Sequence, residues 1–238
     1  MHTLSSLHRI SVCRIGILLL LGMGTPWWTA SANLRAAEAT VKVVNKPLPA
    51  GLAESFRTLL QPQATQLLEG DAPLLEFWFP ASWNLGKAYD APSKGLGSLS
   101  DTAVLGAVVV HKDMRDYRDD ELFPGTYTMR LGLRPNDGNH LGTSEFLYFA
   151  VLTPAKLDPS VEAIKTYKQL VKASRQESAT DHPFILSLRP GTSDSGEFPR
   201  LNKPADAHKS LLLNLPASFE GQMSNVFVDL VYEGVAQH

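Results

Sequence analysis

With 238 residues and a formal charge of −2, the chain lacks the strongly basic balance that a nucleic-acid partner selects. Its one cysteine, Cys13, lies in the first 32 residues. The remainder therefore holds no disulfide, no cysteine-ligated zinc and no thiol nucleophile, and must be held together by its core.

The first elements predict export. Arg9 and Arg14 give a positive start, Ile15 to Met23 is apolar, and Ala30-Ser31-Ala32 is the small-x-small pattern that signal peptidase reads. The apolar run is too short to span a bilayer, which needs about 20 apolar residues. The expectation is a signal peptide over 1–32 and a single domain over 33–238, working in the periplasm or outside the cell. The competing reading is an uncleaved anchor, with Trp27 and Trp28 at the membrane interface; membrane contact is then confined to this segment. Cys13 precedes the apolar run, so it is not a lipidation site. Cleavage removes two arginines and no acid, which shifts the formal charge from −2 to −4.

After residue 32 the chain reads as mainly β. Thr40 to Val44 alternates as an opening strand, and Ala53 to Leu60 fits one or two helical turns on Phe56, Leu59 and Leu60. Strands are expected over 66–69 and 74–79, the second stopped by Pro80. Thr102 to His111 is a near-continuous apolar run, as in a strand covered on both faces. Pro124-Gly125 turns the chain into 126–134, where Tyr127, Met129, Leu131 and Leu133 alternate with Thr128, Arg130 and Gly132. The turn-rich 135–144 and the β run 145–152 complete an antiparallel hairpin with a long loop.

One amphipathic helix is expected near 158–175, with Asp158 as N-cap, Pro159 in the first turn, and Val161, Ile164, Tyr167, Leu170 and Val171 on one face. Strands come next at 183–188, 210–215 and 225–232, separated by a polar loop over 192–206. Strands, one helix, then strands, without βα alternation, predict an antiparallel β-sandwich (immunoglobulin-like or jelly-roll-like) with an inserted helix.

The hairpin residues Gly125-Thr126-Tyr127-Thr128-Met129-Arg130-Leu131-Gly132-Leu133-Arg134-Pro135, with Asp137-Gly138 and His140-Leu141-Gly142, carry a resemblance. With His182-Pro183 and Leu186-Ser187-Leu188, the chain resembles uncharacterised exported proteins of planctomycete-type bacteria. The resemblance implies a secreted protein and brings no catalytic residues with it.

Three groups can carry chemistry. In the hairpin loop, Asp137 and His140 offer a carboxylate and an imidazole to calcium or zinc, but Asn136-Asp137-Gly138 is also what a tight reversal needs. Asp119, Asp120 and Glu121 close an acidic stretch with Asp113 and Asp116, although Lys112, Arg115 and Arg118 interleave with them and favour local ion pairs. Trp78, Trp83 and Tyr89 can form an aromatic platform for sugar rings, against the ordinary fate of such side chains in a core. Gly-x-Ser-x-Gly, His-Glu-x-x-His and phosphate-loop motifs are absent from the sequence. The expectation is an exported, non-catalytic binding or scaffolding module for protein or cell-surface glycan, with no cofactor. The alternative is a metal-assisted hydrolase built on Asp137 and His140.

Overall fold

The computed structural model describes residues 38–89, 92–116, 119–134, 147–178, 180–202 and 208–234, all within the unit Ala37–His238. Residues 1–37, where the signal peptide is expected, and residues 135–146 lie outside the described residues, and so do Asp137 and His140.

The chain opens with β1 (Ala39–Asn45), a short helix α1 (Glu54–Leu59), β2 (Leu60–Glu69) and β3 (Ala72–Pro80). Gly70, at φ 62°, makes the two-residue β2–β3 turn, where a left-handed first position suits glycine. A short β4 (Trp83–Asn84) and a 3₁₀ turn (Pro92–Ser98) precede β5 (Val104–Val110). The two-residue strands β6 (Met114–Arg115) and β7 (Glu121–Leu122) pair only with each other. Then come β8 (Gly125–Leu133), β9 (Tyr148–Pro154), helix α2 (Tyr167–Ser174) and β10 (Phe184–Pro190). The chain ends with β11 (Arg200–Asn202), β12 (Lys209–Phe219) and β13 (Gln222–Glu233). Glu220 and Gly221 join the last two at φ 49° and 81°, the paired left-handed conformation of a tight hairpin.

The strands form one sheet of eleven in the order β1-β2-β3-β5-β8-β9-β10-β13-β12-β11, with β4 attached in parallel to β12 and every other pairing antiparallel. The mainly β, antiparallel expectation holds; the two facing sheets of a sandwich do not form, because the single sheet curls into a half-barrel. Alternation does not distinguish these outcomes, since both need one apolar face per strand. The concave face gathers Leu75 and Phe77 of β3, Tyr127, Met129 and Leu131 of β8, Leu186 of β10, Leu213 of β12 and Val228 of β13 into one cluster. Their burial drives the curl, at about 25 cal/mol per Å² of apolar surface removed from water.

The convex face is covered in two places. Over β2, β3 and β5, Phe56 of α1 packs with Leu60, Ala64, Trp78 and Ala107. Over β9, β10 and β13, Leu170 and Ala173 of α2 pack with Val151, Ile185 and Val231. This helix is shorter than the 158–175 expected and is capped by Thr166 instead of Asp158: the Thr166 hydroxyl accepts from Gln169 N–H at 3.3 Å, and the Gln169 side chain answers from Thr166 N–H at 3.1 Å. Asp158 cannot cap, because Arg130 holds its carboxylate inside the protein. Ser174, at the helix end, donates to the Leu152 carbonyl at 2.5 Å and accepts from Phe184 N–H at 3.0 Å, tying α2 to two strands.

Candidate functional site: a cleft of tyrosines and lysines

Beyond Pro80 the chain leaves β3 for an excursion that returns at Leu99. Its neck is fastened at three points. Trp83 donates its indole N–H to the Leu105 carbonyl at 3.0 Å, Leu85 N–H reaches Ser218 O at 2.9 Å, and Gly86 N–H reaches Ser98 O at 2.7 Å. The 3₁₀ turn lies tightly on the barrel. A Cβ on Gly95 would stand 2.7 Å from Val226 Cγ1, and one on Gly97 would stand 2.8 Å from the Tyr148 hydroxyl. Leu96 and Leu99 drive the same turn into the core. These contacts fix the two ends of the excursion to the sheet.

Between this excursion and the start of β9 lies an open cleft of about 670 Å³. Tyr89, Tyr148, Lys87, Lys94 and Ser98 line it, and among the described lining residues there is no acid and no histidine. The Tyr89 hydroxyl donates to the Asn225 carbonyl, which fixes the ring, and Lys87 and Lys94 are exposed at its rim. The arrangement presents phenol rings and ammonium groups together. The rings can stack, and among the described lining residues no nucleophile–base pair forms.

Elsewhere the buried charges are bound to one another. Glu76, on the convex side of β3, accepts both oxygens' bonds from Lys46 at 2.6 and 2.7 Å and another from Gln66, and His111 Nε2 lies 2.9 Å away. Burial pushes the Glu76 carboxyl up, but the bonds from Lys46, Gln66 and His111 outweigh it and hold the group below its usual 4.5. Arg130 is 1% exposed and sits under the segment after β9. Its Nε donates to Asp158 Oδ2 at 2.7 Å and its Nη2 to Oδ1 at 3.0 Å. The carbonyls of Thr102, Ser160 and Val161 take the remaining bonds at 3.2, 2.9 and 3.1 Å. Both clusters are brackets that hold loops to the sheet.

Of the aromatic trio named from the sequence, only Tyr89 lines the cleft. Trp78 and Trp83 do not line it: they are 1% and 3% exposed, packed in the convex-face and concave-face clusters. Both sit where apolar layers meet, and each indole N–H is spent on a backbone carbonyl, Lys46 O at 3.4 Å and Leu105 O at 3.0 Å. Asp119 and Glu121 face Arg115 at 3.2 and 3.6 Å, and Asp120 lies 3.5 Å from His182 Nδ1. Asp119 holds a left-handed backbone at φ 67°. These three do not converge, and among the described residues no group of three or more metal-ligating side chains forms.

Sequence reasoning misses Lys87, Lys94 and Tyr148. The pair Pro92 and Gly95-x-Gly97 signals a tight turn, but nothing local signals that Tyr148 meets it. No family model, curated protein or solved structure matches the chain.

Proposed function

We propose that the chain is an exported, non-catalytic binding module whose curled sheet is a rigid support and whose working surface is the cleft at Tyr89 and Tyr148. The ligand proposed is a glycan of the cell surface. The observation that carries this reading is that two tyrosines, Tyr89 of the excursion and Tyr148 at the start of β9, line one cleft open to solvent. Sugar rings have apolar faces that lie against aromatic rings, and a phenol adds a hydrogen-bonding edge. A filled interior favours a surface site over a barrel lumen, because the concave face is packed with leucine, valine and aromatic side chains. Export is supported by the Arg9-to-Ala32 pattern.

The test is a glycan array probed with the secreted, processed protein beside Tyr89→Ala. The expected result is retention on at least one glycan class by the parent and loss in the variant, with an unchanged melting temperature. N-terminal sequencing of the secreted form should begin at Asn33. Retention of no glycan at all, together with bound zinc or calcium that His140→Ala removes, would overturn the reading in favour of metal chemistry.

A further inference from the structure

A second cleft, of about 330 Å³, shares no lining residue with the first. It forms where the pairing of β8 with β9 runs out. That pairing ends at Tyr127 and Pro154, so Gly125 and Thr126 continue beside β5 alone while the chain after β9 turns into the 3₁₀ turn Ala155–Leu157. Pro124, Pro154, Ala50 and Ala155 give the notch apolar walls. Tyr127 also lines it, and its hydroxyl donates to the Phe123 carbonyl at 2.9 Å. Burial first, and the Glu177 carboxylate second, push that phenol up to about 12, so it carries no charge at neutral pH.

Two charges remain in the lining, and they are opposite. Lys156, from the 3₁₀ turn after β9, and Glu177, from the 3₁₀ turn Arg175–Glu177 after α2, form an exposed ion pair. Such a pair holds weakly, because water competes for both partners. A ligand with one charge would take one partner and leave the other alone. A ligand with both charges can replace the pair and satisfy each side by a charge-assisted hydrogen bond.

We infer that this notch is a second binding site, for a small zwitterion of the α-amino-acid kind. The ligand carboxylate meets Lys156, its ammonium meets Glu177, and its side chain lies against the proline and alanine walls. The volume is near the lower end of the range for ligand sites, about 300–1,000 Å³, in keeping with so small a molecule. The site stands apart from the glycan reading and does not depend on it.

The experiment is calorimetric titration of the processed protein with leucine and three analogues that keep its side chain. These are N-acetyl-leucine, which is only anionic, leucine amide, which is only cationic, and the uncharged N-acetyl-leucine amide. Leucine should bind at least about tenfold more tightly than any of the three, because it alone makes both charged contacts. Glycine, with both charges and no side chain, should bind more weakly than leucine. Lys156→Gln and Glu177→Gln should each weaken leucine binding about tenfold with the melting temperature unchanged, since the pair they break is exposed. Tyr89→Ala should leave leucine binding as it was, which separates this site from the glycan cleft.

No binding of leucine would overturn the inference, and so would an analogue that binds as tightly. Leucine binding that survives both neutral variants would also overturn it, because the ligand would then sit elsewhere. None of these outcomes touches glycan retention on the array.

Discussion

Two charged clusters hold loops to the convex face of the same sheet, and they do so under opposite conditions. Arg130 and Asp158 are sealed, at 1% and 0% side-chain exposure, and the guanidinium spends its donors on a carboxylate and three carbonyls. Glu76 is equally hidden at 2%, but its main partner Lys46 stands 41% exposed. Water therefore reaches one side of the second cluster and no side of the first. The contrast teaches what a buried charge costs: where both partners are sealed, losing either strands the other, and where one partner is wet, solvent can replace it.

The largest expected effect is Asp158→Ala, which leaves Arg130 charged and buried with only carbonyls for company. Denaturant unfolding should show a loss of about 3–5 kcal/mol. Replacing both partners by apolar residues, Arg130→Met with Asp158→Leu, should cost less than the single change. A single-mutant loss under about 1 kcal/mol would mean that water enters the site. Next is Glu76→Gln, expected to cost about 1–3 kcal/mol at neutral pH, the usual penalty for disrupting a buried hydrogen-bonded group.

That cost should also depend on pH. Burial raises the Glu76 carboxyl, and its three hydrogen-bonding partners more than reverse this, to a net value below 4.5. A group lowered on folding contributes stability above its unfolded value and loses it as pH falls through the folded one. The gap between parent and Glu76→Gln should therefore persist above the ordinary carboxyl value of 4.5 and narrow below it; a gap that widened in acid would reverse the assignment. The smallest effect belongs to Lys46→Met, at about 1 kcal/mol or less and weaker still in high salt, because this ammonium is half in water.

The elements are readable in the sequence wherever a short-range rule governs them. Tyr127, Met129 and Leu131 alternate with Thr128 and Arg130, and the strand they predict faces the concave cluster with the first set. The α1 turn follows from the spacing of Phe56, Leu59 and Leu60, and the antiparallel pairing of β8 with β9 follows from two β runs around a turn-rich stretch. Distant partners set the rest. Asp158 before Pro159 looks like a helix cap from its neighbours, yet Arg130 on another strand decides its use. Trp83 sits among turn formers, yet β12 and Leu105 close over it. Of the cleft, only Tyr89 is legible, because its companions arrive from separate stretches of chain and no spacing rule joins Lys87 to Tyr148.

The strand order carries a consequence for the order in which the sheet can assemble. From β1 through β10 the main path of the sheet adds strands in the order of synthesis, so each new strand finds its partner waiting beside it. The pattern breaks once: β13, which follows β12 in the chain, inserts between β10 and β12. Until β13 docks, the edge of β10 that it pairs with, over Ser187–Pro190, stays open. Folding therefore passes through an interval in which a nearly complete sheet can recruit a strand from another molecule. A chain truncated before Gln222 would remain in that interval and aggregate.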